Sequence, residues 1–180
     1  MIPHNDSELP PVTLVLGGAR SGKSRFAESL VAGHGPGIYL ATATAGDEEM
    51  MARIAEHRRR RGANWETVEE PLALADALFR HAAPERAVLV DCLTLWLSNL
   101  MAAERDVTRE TEALVGNLKD LAGPVVLVSN EVGQGIVPPT PLGRAFRDHA
   151  GRLNQTVATA ADRVVLVVAG LPLMLKDRTT

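Results

Sequence analysis

The sequence predicts an α/β fold, with a doubly wound and mainly parallel sheet flanked by helices. Five short aliphatic runs lack polar alternation, which is typical of strands covered on both faces, and stretches with helical spacing separate them. The predicted strands are 12–16, 38–43, 87–90, 125–129 and 164–168, and the predicted helices are 24–31, 47–61, 72–81, 108–121 and 142–160. Strands that alternate with helices favour parallel pairing. Because ligands of such sheets bind beyond the carboxyl ends of the strands, functional residues are expected there.

The composition fits one domain. The 180 residues, 46% of them hydrophobic, suffice for a single core, and we expect one folded domain at 12–180 after a loose polar tail at 1–11. The 19 basic and 22 acidic side chains leave a formal charge of −3, so no nucleic-acid partner is expected. The single cysteine, Cys92, indicates a small buried residue and a reducing cytoplasm. The apolar stretch 164–175 is too short to span a membrane and predicts a buried strand with its exit turn, so no stable membrane insertion is expected.

The first predicted strand leads into a complete G-x-x-x-x-G-K-S phosphate loop. The glycines let the backbone wrap closely round phosphate oxygens, and the amides of the loop and of the new helix point at the anion. Lys23 is predicted to reach the β- and γ-phosphates, and the Ser24 hydroxyl to bind Mg²⁺. A chance glycine-rich turn would need neither side chain. The predicted nucleotide-binding residues are Gly17, Gly18, Ala19, Arg20, Ser21, Gly22, Lys23 and Ser24, and they indicate a P-loop NTPase-type sheet.

The second predicted strand delivers 41–43 to the same edge, and a helix follows at 47–61. His57 lies on the apolar face of that helix by its spacing. Four arginines come directly after it, and they either bind phosphate oxygens or complement the helix dipole from a solvated face. The residues alone leave His57 open as a catalytic group or a structural one.

The third and fourth predicted strands also end in polar residues. Asp91 is expected to complete the Mg²⁺ site beside the phosphate loop, or to cap a helix that begins near Leu93. Glu131 follows the fourth strand, where it either accepts a proton from a substrate hydroxyl, positions that substrate, or starts a surface loop. The glycine- and proline-rich stretch 133–141 is a candidate mobile loop.

Taken together, these motifs resemble one specific family, the bifunctional adenosylcobinamide kinase / adenosylcobinamide-phosphate guanylyltransferases of cobalamin biosynthesis. The resemblance spans about residues 13 to 176, in the same order and near the same spacing. The segments that carry it are LGGARSGKSR at 16–25, YLATA at 39–43, MARI at 51–54 leading to His57, WETVE at 65–69, DCLT at 91–94, SNEVG at 129–133, GIVP at 135–138 and GRLNQ at 151–155.

The resemblance implies two reactions. ATP or GTP phosphorylates the hydroxyl of adenosylcobinamide, and GMP then passes from GTP to adenosylcobinamide phosphate, giving adenosyl-GDP-cobinamide and pyrophosphate. His57 stands where the family carries GMP on a histidine, and a neutral imidazole is a competent nucleophile near pH 7. Besides the phosphate loop, the resemblance assigns nucleotide contacts to Ala41, Thr42, Ala43, Arg58, Arg59, Arg60, Arg61, Glu69 and Asp91. Glu69 is expected to accept from the guanine edge.

Two positions depart from the family pattern. Glu56 precedes His57 where some relatives carry a second histidine, and Asp91 is shorter than the Glu that some relatives use. The resemblance also implies a homo-oligomer, with a trimer as the expected state. Three alternatives stay open from the sequence: a P-loop kinase of another small metabolite, a non-catalytic GTP-dependent switch whose loop at 133–141 reports to a partner, and a protein that retains one of the two activities.

Overall fold

The computed structural model describes residues 9–43 and 64–178. The predicted helix at 47–61, with His57 and the four arginines after it, lies outside the described residues, as do residues 1–8 of the predicted tail. Among the described residues, no helix combines the length and the apolar character that a membrane crossing requires.

The described chain forms a seven-stranded sheet with five helices. The strands are β1 (Val12–Gly17), β2 (Gly37–Ala41), β3 (Trp65–Glu69), β4 (Ala87–Asp91), β5 (Val125–Asn130), β6 (Arg163–Val168) and β7 (Leu171–Asp177). The helices are α1 (Lys23–His34), α2 (Leu74–His81), α3 (Leu93–Ala102), α4 (Val107–Leu118) and α5 (Pro141–Ala160). The strand order is β3-β2-β4-β5-β1-β6-β7, and every neighbouring pair is parallel except β6 and β7. The predicted mainly parallel, doubly wound sheet is confirmed.

Successive strand residues point to opposite faces of the sheet and build two separate cores. In β1, Leu14 and Leu16 join the core under helices α2 to α5, whereas Val15 joins the core under α1. All three side chains are buried, so β1 is covered on both sides. Burial on both faces explains why the strands read as continuous aliphatic runs rather than as alternating patterns.

Three elements differ from the sequence prediction. β3 was not predicted because its sequence, WETVE, is neither an aliphatic run nor a regular alternation, and because it lies only partly buried at one side of the sheet. The stretch after 164–168 is not only an exit turn: it continues as β7, which pairs antiparallel with β6. The interior of α3 also escaped prediction, because apolar residues such as Leu95 and Ala102 lie opposite its buried face and weaken the amphipathic period.

Candidate nucleotide-binding site

The predicted phosphate-binding groups lie at the carboxyl ends of β1, β4 and β5, which are neighbouring strands of the sheet or one strand apart. Gly17, which opens the phosphate loop, lies in register with Asn130 at the end of β5. Asp91 ends β4, the strand on the other side of β5. The sheet therefore places Asp91, the residues after β5 and the phosphate loop within three consecutive strands.

The phosphate loop has the backbone that its glycines predict. Gly22 has φ of 94°, and Arg20 also takes a left-handed φ of 57°, so the chain turns sharply before α1 begins at Lys23. The ammonium group of Lys23 donates to the carbonyl of Gly18 at 3.1 Å, which holds the charge over the loop. The first turn of the described helix α1 contains no acidic side chain. The unpaired amides and the positive end of the helix dipole therefore favour the binding of an anion there.

The turn between β6 and β7 packs directly on the phosphate loop. The amide of Gly170 donates to the carbonyl of Ser21 at 2.8 Å. An added Cβ at Gly17 would lie 2.7 Å from the carbonyl oxygen of Val167, so this position requires glycine. Ala169 and Gly170 both have positive φ, which is the backbone of a tight hairpin turn. Sequence reasoning missed this support, although a small residue followed by glycine between two apolar runs was a usable hairpin signal.

Asp91 ends β4 and is not the N-cap residue of α3, and its metal role remains a prediction. The N-cap residue of α3 is Cys92, the residue after Asp91. The Tyr39 hydroxyl donates to Asp91 Oδ2 at 2.9 Å and so orients the carboxylate. The capping alternative for Asp91 is thus not what the structure shows.

Cys92 is the small buried residue that the sequence predicted. Burial, and secondly the neighbouring Asp91 carboxylate, raise the pKa of Cys92 to about 11 from 9.0. The thiol is therefore protonated at neutral pH and is not a nucleophile candidate.

The segment after β2 is fastened to the start of α3. Thr42 is fully buried; its hydroxyl donates to the carbonyl of Cys92 at 2.8 Å and accepts from the Cys92 amide at 2.9 Å. Asn99 Nδ2 donates to the Thr42 carbonyl at 2.7 Å. These hydrogen bonds within the protein show that Thr42 fixes the strand end. The nucleotide contacts predicted for Ala41, Thr42 and Ala43 remain predictions.

Glu69 lies at the far edge of the sheet from the phosphate loop. It ends β3 in register with Ala41, and β2, β4 and β5 separate β3 from β1. Four strand intervals correspond to about 19 Å at the usual strand spacing. The structure therefore groups Asp91 with the loop but leaves Glu69 remote from it, as a group for a distant part of a ligand.

Glu131 follows β5 beside the phosphate loop and is bonded to the buried polar residue Asn154. Its amide donates to the Gly17 carbonyl at 3.1 Å. Its carboxylate accepts from Asn154 Nδ2 at 3.0 Å, and Asn154 Oδ1 accepts from Ser129 Oγ at 2.7 Å. Glu131 is thus tied to the site and does not simply start a surface loop. Periodicity gave no signal for Asn154, which reads as one more polar residue of a long helix.

The loop between β5 and α5 exposes apolar side chains and is fastened at its far end. Ile136 is 98% exposed and Val137 60%. The Arg144 guanidinium donates to the carbonyls of Pro138 at 3.1 Å and Pro139 at 2.9 Å. The mobility predicted for 133–141 stays a prediction.

Two solved structures share this architecture. The flagellar accessory protein FlaH from Methanocaldococcus jannaschii matches with a TM-score of 0.54 and 11% identity, over 95% of this chain and 80% of that chain. A solved ATPase domain matches with a TM-score of 0.51 and 13% identity, over 94% of this chain and 78% of that chain. At such identities the likeness shows the fold alone. Fold and loop together define a P-loop nucleotide-binding protein.

The sequence comparison defines the family within that class. The profile of the family described as cobinamide kinase / cobinamide phosphate guanyltransferase matches residues 13–175, and the chain belongs to this family. The bifunctional adenosylcobalamin biosynthesis protein CobP of Pseudomonas aeruginosa is 54% identical over 166 residues, which cover 91% of this chain and 96% of that protein. The corresponding CobU of Escherichia coli is 41% identical over 178 residues, covering 91% and 98%.

Proposed function

We propose that this chain catalyses both reactions of its family, the phosphorylation of adenosylcobinamide and the transfer of GMP from GTP to the resulting phosphate. The observation that carries the proposal is the family match over residues 13–175, in which the phosphate loop is intact. The backbone supports it, because the glycine geometry of the loop and the Lys23 contact are those of a phosphate cradle.

Mg²⁺ is proposed as the metal that accompanies the nucleotide. Ser24 at the start of α1 and Asp91 at the end of β4 offer hard oxygen ligands, which suit Mg²⁺. Among the described residues no group of three or more His, Cys, Asp or Glu side chains forms a metal cage. This agrees with a metal held by one or two protein oxygens, with phosphates and water completing the shell. When bound, the ion neutralises charge on the triphosphate.

For the kinase step, the chain supplies binding and orientation of the triphosphate. The loop amides and the N-terminus of α1 hold the phosphates, and Lys23 stabilises charge on the β- and γ-phosphate oxygens. Glu131 lies at the adjoining strand end, where its backbone amide donates to the loop carbonyl of Gly17. The attacking hydroxyl is expected on that side of the loop.

For the guanylyl step, we propose His57 as the residue that carries GMP. An imidazole nitrogen bonds the α-phosphorus of GTP while the bond to the β-phosphate breaks and pyrophosphate leaves. The phosphate of adenosylcobinamide phosphate then bonds the same phosphorus and releases the histidine. The proposed nucleotide contacts after the phosphate loop are Ala41, Thr42, Ala43, Arg58, Arg59, Arg60, Arg61 and Glu69. The support is the family membership.

The proposal extends to the state of the protein in the cell. We propose a cytoplasmic homo-oligomer, with a trimer as the expected assembly and without a nucleic-acid partner. The edge strand β7 exposes Leu171, Leu173 and Leu175 by 72%, 56% and 54% of their surfaces, and apolar edges of this kind favour association. The formal charge of −3 gives no electrostatic reason to bind nucleic acid.

A product assay tests the proposed function. The protein is incubated with adenosylcobinamide, ATP, GTP and Mg²⁺, and the corrinoids are separated by chromatography. We expect adenosylcobinamide phosphate first, then adenosyl-GDP-cobinamide with one pyrophosphate per GMP transferred. Nucleotide binding without either corrinoid product would favour the switch alternative instead. Formation of one product alone would reduce the proposal to a single activity.

A further inference from the structure

Asn154 on α5 is a buried amide aimed at the end of β5. The residue is 5% exposed. Its Nδ2 donates to the carbonyl of Asn130 at 3.1 Å and to Glu131 Oε1 at 3.0 Å, while its Oδ1 accepts from Ser129 Oγ at 2.7 Å. Both amide hydrogens of Asn154 therefore bind successive residues at the carboxyl end of β5, beside the phosphate loop.

The partners of the amide fix its orientation and the direction of the hydrogen bonds. Carbonyl and carboxylate oxygens only accept, so both must face Nδ2. The Ser129 hydroxyl gives its one proton to Asn154 Oδ1, so Thr94 Oγ1, 3.5 Å away, can face Ser129 only as a donor. Thr94 in turn accepts from the Asn130 amide at 2.8 Å. The donors thus run from Ser129 through Asn154 to Glu131, and aligned hydrogen bonds strengthen one another.

The end point of this chain of donors lies beside the phosphate loop. The Glu131 amide donates to the Gly17 carbonyl at 3.1 Å, and Asn130 is in register with Gly17. The Glu131 residue is only partly buried. A carboxylate that accepts one bond from an amide has lone pairs left for another donor.

We propose that Asn154 is a positioning residue, which holds Glu131 so that its carboxylate accepts the proton of the substrate hydroxyl in the kinase step. This role rests on the proposed function. The hydroxyl oxygen bonds the γ-phosphorus, the bond from the γ-phosphorus to the β,γ-bridging oxygen breaks, and its electron pair leaves with the nucleoside diphosphate. The proton passes to Glu131, which later returns it to water.

Two substitutions of Asn154 test the role against a matched control. Asn154→Asp removes both amide donors and places a like charge beside Glu131. Asn154→Ser introduces a smaller polar side chain that cannot reach the Glu131 carboxylate. We expect either variant to lower kcat for adenosylcobinamide phosphorylation about 10- to 100-fold, with KM for ATP changed by less than about twofold. Gln155→Glu makes the same amide-to-carboxylate change at the neighbouring exposed position, and it should keep parental kcat.

A double variant separates positioning from a general structural effect. If Asn154 acts through Glu131, then Asn154→Ser adds little to the loss caused by Glu131→Gln, because the carboxylate is already gone. The role would be overturned if the loss in kcat of the double variant equalled the product of the two single losses. Unchanged kcat in both Asn154 variants, or in Glu131→Gln, would overturn it as well. A parental protein that binds ATP but does not phosphorylate adenosylcobinamide would contradict the proposed function itself, and the role of Asn154 with it.

Discussion

Lys23 is the side chain of the phosphate loop that is expected to contact the β- and γ-phosphates. Its ammonium group contacts the Gly18 carbonyl at 3.1 Å, so it lies over the loop that the backbone of 17–24 forms. A lysine is a compact charge with three donors, and it can exchange this carbonyl for phosphate oxygens at little cost. Both proposed reactions place a triphosphate here, so both should depend on Lys23.

Replacing Lys23 by alanine is expected to slow both reactions. The loss of one charge that stabilises the transferring phosphoryl group costs on the order of 10²-fold or more in kcat/KM. The measurement is steady-state formation of each corrinoid product. The exposed Lys119, at the end of α4, gives the control Lys119→Ala, which should retain parental rates. Parental kinase turnover in Lys23→Ala would contradict the phosphate role.

Cys92 supplies a pH dependence of stability. Its pKa is raised from 9.0 to about 11. Between pH 9 and pH 11 the Cys92 thiol is therefore mostly protonated in the folded state and mostly deprotonated in the unfolded state. The resulting stability is complete below pH 9 and is lost as the pH rises through about 11. Between pH 8 and pH 10, the parental protein should lose about 1 kcal/mol of unfolding free energy more than Cys92→Ala does. Urea unfolding of both proteins measures this difference, and equal losses would exclude the effect.

At the scale of elements, the β6–β7 hairpin supports the phosphate loop from the side. Its turn binds the Ser21 carbonyl through the Gly170 amide, and the Val167 carbonyl closes the space over Gly17. The loop is therefore held by backbone from another element as well as by its own glycines. The motif alone does not show which of its glycines are irreplaceable. The contact with the Val167 carbonyl shows that Gly17 is one of them.

Alanine substitutions at the two neighbouring glycines should have different effects. At Gly17 the added Cβ would lie 2.7 Å from the Val167 carbonyl oxygen, and backbone cannot yield easily, so we expect a loss of about 1–3 kcal/mol. At Gly18 an added Cβ would meet no described atom within 4 Å, so Gly18→Ala should stay within about 0.5 kcal/mol of the parent. Denaturant unfolding without nucleotide compares them. Equal stability of the two variants would contradict the bracing by the hairpin.

Elements buried on both faces were predictable, whereas those at the sheet edges were not. Continuous aliphatic runs and the flanking turn residues located β1, β4 and β5 to within about a residue or two. β3 and β7 lie at the edges, where one-sided burial weakens the pattern. In the site, local motifs predicted the loop and Asp91, but Asn154 lies 23 positions from Glu131 in the sequence and meets it only through the packing of α5. Such a contact depends on tertiary structure that periodicity does not encode.

At the scale of the whole molecule, the chain should assemble. Light scattering coupled to size exclusion should give a mass close to three times 19.3 kDa. Apolar contact drives such assembly, so the mass should persist in high salt, whereas an assembly held by surface charges would dissociate. A mass of one chain at micromolar concentration would contradict the proposed trimer.

The central claim, that one chain carries GMP covalently on the way to a corrinoid product, is tested most directly by labelling. The protein is incubated with Mg²⁺ and GTP labelled at the α-phosphate, denatured and mapped by proteolysis. We expect acid-labile label on His57, release of one pyrophosphate per label, and an unlabelled His57→Ala variant that still binds GTP. A protein that binds GTP but takes up no label, or a His57→Ala variant that labels and transfers GMP at the parental rate, would contradict the account.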